Sequence, residues 1–222
     1  MAYNVYLFNG LAISNPMSRT NLSAQDSATI QLTLKGYFDK VVQAHDQLGL
    51  RGKTVYGTSN VQWLQQAPSS VAPHELLIYL VPSGTTLVTH GRLEQGRPPA
   101  SHDGFTNFLI RSSTTSGTTA ASEVFPNFPT TPAGLKLVAN LMFHEAMHNK
   151  LAFNDAQLHN LGGLATGTPQ ASPITDTTTL TPANINLLAA HLDDSRPQWT
   201  AGIGLLTTAA NVSDSDPSKG LF

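Results

Sequence analysis

The spacing of apolar residues changes rhythm along the first fifty positions. YNVYLF at 3–8 is a short run of aromatic and β-branched residues, which predicts a strand. After the polar loop SNPMSRTNLS, Ile30, Leu34, Tyr37, Phe38, Val41, Val42 and Leu48 recur at three-to-four spacing. That period predicts one long helix from Ser23 to Leu48, capped by Ser23, with its apolar stripe on a single face. LGLRGK turns the chain, and KTVYGTSN reads as a short strand, with VQWLQQA ambiguous behind it. ELLIYLV at 75–81 is a near-continuous apolar run, the pattern of a central strand buried on both faces. TLVTH at 86–90 and FTNFLIRSS at 105–113 read as further strands, and a polar loop follows.

The proline-punctuated stretch VFPNFPTTPAG leads into a second helix that starts near Thr131 or Pro132. It runs through GLKLVANLMFHEAMHNKLAF, with Leu137, Val138, Leu141, Met142 and Ala146 as the predicted buried stripe. PANINLLAAHL at 182–192 is a third helical pattern, capped by Thr181. No internal repeat interrupts this order. The expected fold is α+β: a mixed twisted sheet, a backing helix, a helix carrying the chemistry, and an irregular C-terminal lobe. Residues 1–153 form the first lobe in this reading, and residues 154–222 complete the site as part of one unit.

Composition narrows the classes. Of 222 residues, 40% are hydrophobic, enough for a sizeable core, while only 12% are charged and the net charge is −2. No basic stripe supports nucleic-acid binding. No run of 18 apolar residues predicts a membrane span. MAYNVYLFNG lacks the basic and apolar regions of a secretory signal, so a cytoplasmic location and leaderless export both stay open. The chain has no cysteine, which excludes disulfides and thiolate metal sites. Any metal must be held by His, Asp or Glu.

One segment of the second helix has that chemistry. In FHEAMHNK, His144 and His148 are four apart, so both imidazoles project from one helical face and can converge on a zinc ion. Glu145 lies about 100° further round the helix, where it can take a proton from a metal-bound water. Between Met142, Phe143, Ala146 and Met147, a glutamate would otherwise be a buried charge with no evident partner. A catalytic zinc takes three protein ligands and keeps one position open. No glutamate follows Glu145, so the third ligand comes from Asp155, His159, Asp176, His191, Asp193 or Asp194. His159 is favoured: a turn near Asn154 would fold FNDAQLHNLGG back beneath the metal, and Gly162 and Gly163 permit tight backbone beside it. Asp155 is the runner-up ligand, or a hydrogen-bond acceptor behind a ligand imidazole. His191 reads first as a core or surface histidine, and second as a donor to a tetrahedral oxyanion. His45, His74, His90 and His102 read as structural or exposed.

These residues resemble the zincin metallopeptidases. The resemblance rests on His144, Glu145 and His148, on His159 as a third histidine, and on the strand–helix–strands–helix order before the motif. It implies zinc, hydrolysis of a peptide or protein substrate with Glu145 as general base, helix 23–48 as the backing helix, and TLVTH as the edge strand against which an extended peptide pairs. The pattern departs from the metzincin HExxHxxGxxH, because Leu151 stands at the glycine position and Asn154 at the third histidine. No methionine follows Met147. The longer gap is more similar to SprT-type zincins. A catalytically silent binding or structural module, such as a secretion-apparatus or phage-like component, is the competing expectation, and a delivered toxin is a third. Oligomeric state and substrate preference are not legible.

Overall fold

The computed structural model describes residues 1–9, 22–49, 52–65, 68, 70–80, 85–87, 104–110, 118–124, 130–167, 174–198, 200 and 206–208. Several of the strand residues among these are described by backbone alone. Five strands form one sheet: β1 (Ala2–Asn9), β2 (Thr58–Leu64), β3 (Leu76–Leu80), β5 (Gly104–Ile110) and β6 (Thr118–Val124), in the order β2-β1-β3-β6-β5. The first four in that order pair in parallel. β5 closes the edge, antiparallel to β6. A separate antiparallel ribbon joins β4 (Thr85–Leu87) to β7 (Leu206–Thr208). The architecture is α+β, as expected.

Local chemistry accounts for the elements. All five residues of β3 are buried, as a central parallel strand requires. Helix α1 (Ala24–Gln47) starts at a capping box in which Ser23 and Asp26 satisfy each other's backbone N–H groups. It buries Ile30, Leu34, Phe38, Val41, Val42 and His45. Helix α2 (Pro132–Leu151) carries Thr131 as its cap and Pro132 in its first turn. The short α3 (Asp155–Leu158), a 3₁₀ turn (Gly163–Ala165) and α4 (Pro182–Ala190) follow.

Helix α2 sits at the centre. It touches β3, β5 and β6 on one side and α1, α4 and the 3₁₀ turn on others. Every residue from Asn140 to Leu151 is buried. The expected single stripe is therefore a correction: a helix enclosed on all sides needs no polar face. Phe143 packs its ring against Phe38 at 5.4 Å and Tyr37 at 5.6 Å, tying α2 to α1. A strap after α4 closes the far end. Arg196 N–H donates to the Pro73 carbonyl at 2.6 Å, and Ala120 N–H to the Pro197 carbonyl at 2.8 Å.

Four other expectations change. The second strand begins at Thr58, after Gly57 at φ 74° breaks the extended backbone, and VQWL belongs to it. TTAASEV, read as loop, is strand β6 beside the central strand. TLVTH is not at the edge of the main sheet: its described part, Thr86 and Leu87, pairs with β7, and among the described strands the edges are β2 and β5. Leu48 is 44% exposed, because α1 ends at Gln47 and Leu48 forms only its cap. His90, His102, residues 88–89 and residues 111–113 lie outside the described residues.

Candidate metal centre

His144 and His148 face the same way on α2, as their spacing demands. The third imidazole arrives by a tight return. Ala152, in the left-handed region at φ 54°, ends α2, and two residues later Asn154 caps α3 through a capping box with Gln157. Leu158, fully buried, pins this four-residue helix to the core. His159 follows at its C-cap, and its ring turns back toward α2.

The three Nε2 atoms form a nearly equilateral triangle. His144 to His148 is 3.0 Å, His148 to His159 is 3.1 Å, and His159 to His144 is 3.2 Å. Backbone carbonyls fix the tautomers of the two helix histidines. His144 Nδ1 lies 2.8 Å from the Leu164 carbonyl, and His148 Nδ1 lies 2.7 Å from the Phe153 carbonyl. Only a protonated nitrogen satisfies a carbonyl oxygen, so Nδ1 carries the hydrogen and Nε2 presents a lone pair. Two bare lone pairs 3.0 Å apart repel unless a cation lies between them.

Protonation does not relieve the repulsion. Burial, helped by neighbouring His148, pushes His144 down to about 3, against the opposing pull of the Leu164 carbonyl. Burial likewise lowers His148. Neutral imidazoles are what a metal requires. Ligands about 2.0–2.1 Å from a tetrahedral zinc stand roughly 3.3 Å apart, within a few tenths of an ångström of this triangle. The trio can hold a metal ion.

Two features support the trio from behind. The carbonyl of Leu164 is placed by Asn184 of α4, whose Oδ1 accepts from Leu164 N–H at 2.9 Å and whose Nδ2 donates to the Gly162 carbonyl at 3.0 Å. Gly162 and Gly163 adopt positive φ there, 69° and 60°. A side chain on Gly163 would also strike Asn184 Oδ1. The expectation of tight glycine backbone beside the metal thus acquires a partner, Asn184. Sequence reasoning missed it, although an asparagine at the third position of the Thr181 capping box was a visible signal.

Glu145 is buried beside the histidines, under the edge strand. Thr106 Oγ1 is 2.6 Å from Glu145 Oε2 and 3.0 Å from the Glu145 carbonyl oxygen. Burial raises Glu145 to about 8; the Thr106 hydrogen bond opposes this, and the Asp155 and Glu123 charges add to it. A divalent cation alongside would pull it back toward the carboxylate. Gly104 passes so near that a side chain there would meet the carboxylate. Neither Gly104 nor Thr106 was picked out from the sequence.

The remaining candidates lie elsewhere. Asp155 Oδ1 is 3.6 Å from His159 Nε2 and 3.8 Å from His148 Nε2, on a side chain 72% exposed. It faces two of the rings without joining the cluster. His191 caps the end of α4, 40% exposed, and its Nδ1 pairs with Asp194 Oδ2 at 2.8 Å. The structure does not bring it into the trio. Asp193 accepts from Tyr56 and from Thr54 N–H, and Asp176 also lies outside the cluster. His45 is buried, with Nδ1 2.8 Å from the Ala189 carbonyl and Nε2 3.1 Å from that of Thr54. No helix among the described residues is long and apolar enough to cross a membrane. Comparison of the chain with protein-family models, with curated proteins and with solved structures finds no match in any of the three.

Proposed function

We propose that this chain is a zinc-dependent endopeptidase of zincin type. The observation that carries the reading is the convergence of three Nε2 atoms at 3.0–3.2 Å, with a buried glutamate directly after the first of the two helix histidines. An all-imidazole shell suits zinc best among common ions. When bound, the ion would supply a water of pKa near 7 and polarise the scissile carbonyl. His144, His148 and His159 would hold it, leaving one position open.

Glu145 then has the general-base role. Its carboxylate accepts a proton from the attacking water and delivers it to the leaving amine. Burial keeps competing bulk water from that proton. β5 stands at an edge of the sheet among the described residues, the kind of strand along which an extended peptide can pair. Gly104 and Thr106 lie on that same strand, directly over Glu145, which would bring a peptide bond paired along β5 close to the base.

The test is metal analysis joined to cleavage. The purified chain should hold about one zinc, and the zinc-loaded protein should cut members of a quenched-fluorescent peptide library. Glu145→Gln should keep the zinc and lose the cutting. Zinc binding without Glu145-dependent cleavage would overturn the peptidase reading and leave a metal-holding binding module.

A further inference from the structure

We propose that Thr106 is a positioning residue that holds the Glu145 carboxylate in its working orientation, an inference that rests on the peptidase reading above. Glu145 is buried, 3% exposed, and a buried carboxylate needs a hydrogen-bond partner to fix its direction as well as to offset its desolvation. The partner comes from across the sheet interface. Thr106 and Ser122 are directly opposed in the β5–β6 ladder, so their side chains emerge on one face, toward α2. Thr106 Oγ1 stands 2.6 Å from Glu145 Oε2 and 3.0 Å from Ser122 Oγ.

A polar network holds Ser122 from behind. Asn149 Nδ2 donates to Ser122 Oγ at 2.9 Å and to Gln198 Oε1 at 3.0 Å. Gln198 Nε2 returns a bond to Asn149 Oδ1 at 3.0 Å. Both amide hydrogens of Asn149 are therefore committed. Ser122, accepting from Asn149, has its own hydroxyl within 3.4 Å of the Glu145 carbonyl oxygen, and Thr106 Oγ1 donates to the carboxylate at 2.6 Å.

Gly104 completes the arrangement. It precedes Thr106 by two residues, hence shares its face of the strand. A methyl group there would collide with Glu145 Oε1 and approach its Cγ and Cδ to 3.0 Å. One residue of β5 leaves room for the carboxylate and the other aims it.

The experiment compares Thr106→Val, Thr106→Ser and Thr106→Ala in the full chain. Thr106→Val should retain zinc and KM while kcat falls roughly 10- to 100-fold, the usual range for groups that orient a reacting one. Thr106→Ser should restore kcat to within about threefold of the parent, the hydroxyl being kept. Thr106→Ala, which lacks the hydroxyl and adds no bulk, should show the same loss as valine. A second readout needs no activity: denaturant stability of the metal-free chain carrying Thr106→Val, Glu145→Gln or both. Direct coupling makes the double variant depart from the sum of the singles. Full kcat in Thr106→Val and Thr106→Ala, or additive stabilities, would overturn the inference while leaving a Glu145-dependent peptidase intact. A chain that cleaves nothing but shows the coupling would sink the peptidase reading instead.

Discussion

Gly167 lies flat against the ring of His159. A methyl group placed on it would come within 2.4 Å of three ring atoms: Cε1, Nδ1 and Cδ2. Gly167→Ala is therefore expected to push the third imidazole out of the triangle. Zinc affinity, read by competition with a chromophoric chelator, should fall roughly 10- to 100-fold. Far-UV circular dichroism should be unchanged, since the collision falls on a side chain at the surface of the core. An unchanged affinity would mean that His159 is not a ligand.

Glu145→Gln and Gly104→Ala attack the base by different routes. The first removes the proton acceptor and should lower kcat roughly 10²- to 10⁴-fold with zinc retained. The second keeps the carboxylate and displaces it, because the far end of the Glu145 side chain yields more easily than strand backbone. A smaller loss, with full zinc content by atomic emission, is expected. Equal, wild-type kcat in both would remove Glu145 from the mechanism.

Asn184→Ala tests the scaffold behind His144. Asn184 is fully buried and bonds Leu164 N–H, the Gly162 carbonyl and Thr181 N–H. Removing it strands buried backbone groups, at about 1–3 kcal/mol of folding stability. Chemical denaturation measures that. Zinc affinity should drop as well, because the Leu164 carbonyl that holds the His144 tautomer loses its anchor.

Chelation should lower the melting temperature without changing secondary structure. The three imidazoles converge through contacts that belong to the chain itself, namely the Leu164 and Phe153 carbonyls and the Gly167 backbone. Bound zinc would stabilise by mass action, about 1.4 kcal/mol for each tenfold excess over its dissociation constant. Loss of helical signal on adding a chelator would show that the metal organises the fold, contrary to this expectation.

Much of this was legible from local pattern. Ser23, followed by apolar residues at three-to-four spacing, announced α1, and the four-residue separation of His144 and His148 announced their shared face. His159 followed from a turn signal and paired glycines. What stayed hidden depends on contacts between distant segments. β6 is small and hydroxylated, TTAASEV, so it carries no apolar run, yet Ser122 and Glu123 are buried. Thr106 is 39 residues from Glu145 and has no marker of its own in the sequence. β4 was misassigned to the main sheet because its partner, β7, lies over a hundred positions further on.

Lys150 provides a pH test. Its ammonium group is buried and donates to the Asp194 carbonyl at 2.6 Å and the His74 carbonyl at 3.2 Å. Burial lowers it to about 8, with the Asp194 charge opposing. Below pH 8 both folded and unfolded chains hold the proton, and the cost of burying it is constant. Between about 8 and the ordinary lysine value near 10.4, the unfolded chain keeps a proton that the folded chain has released, so stability rises with pH. The wild-type minus Lys150→Met stability difference should climb across that window by on the order of 2–3 kcal/mol. A flat difference would show Lys150 to be unshifted.

The stretch from Phe153 to Leu164 delivers one imidazole and, from its two ends, the carbonyl that orients each of the others. Ligand and tautomer control thus travel together as one contiguous cassette. Spliced after an HExxH helix in an unrelated scaffold, together with an asparagine to anchor its far end, that cassette would supply a third imidazole and both orienting carbonyls at once.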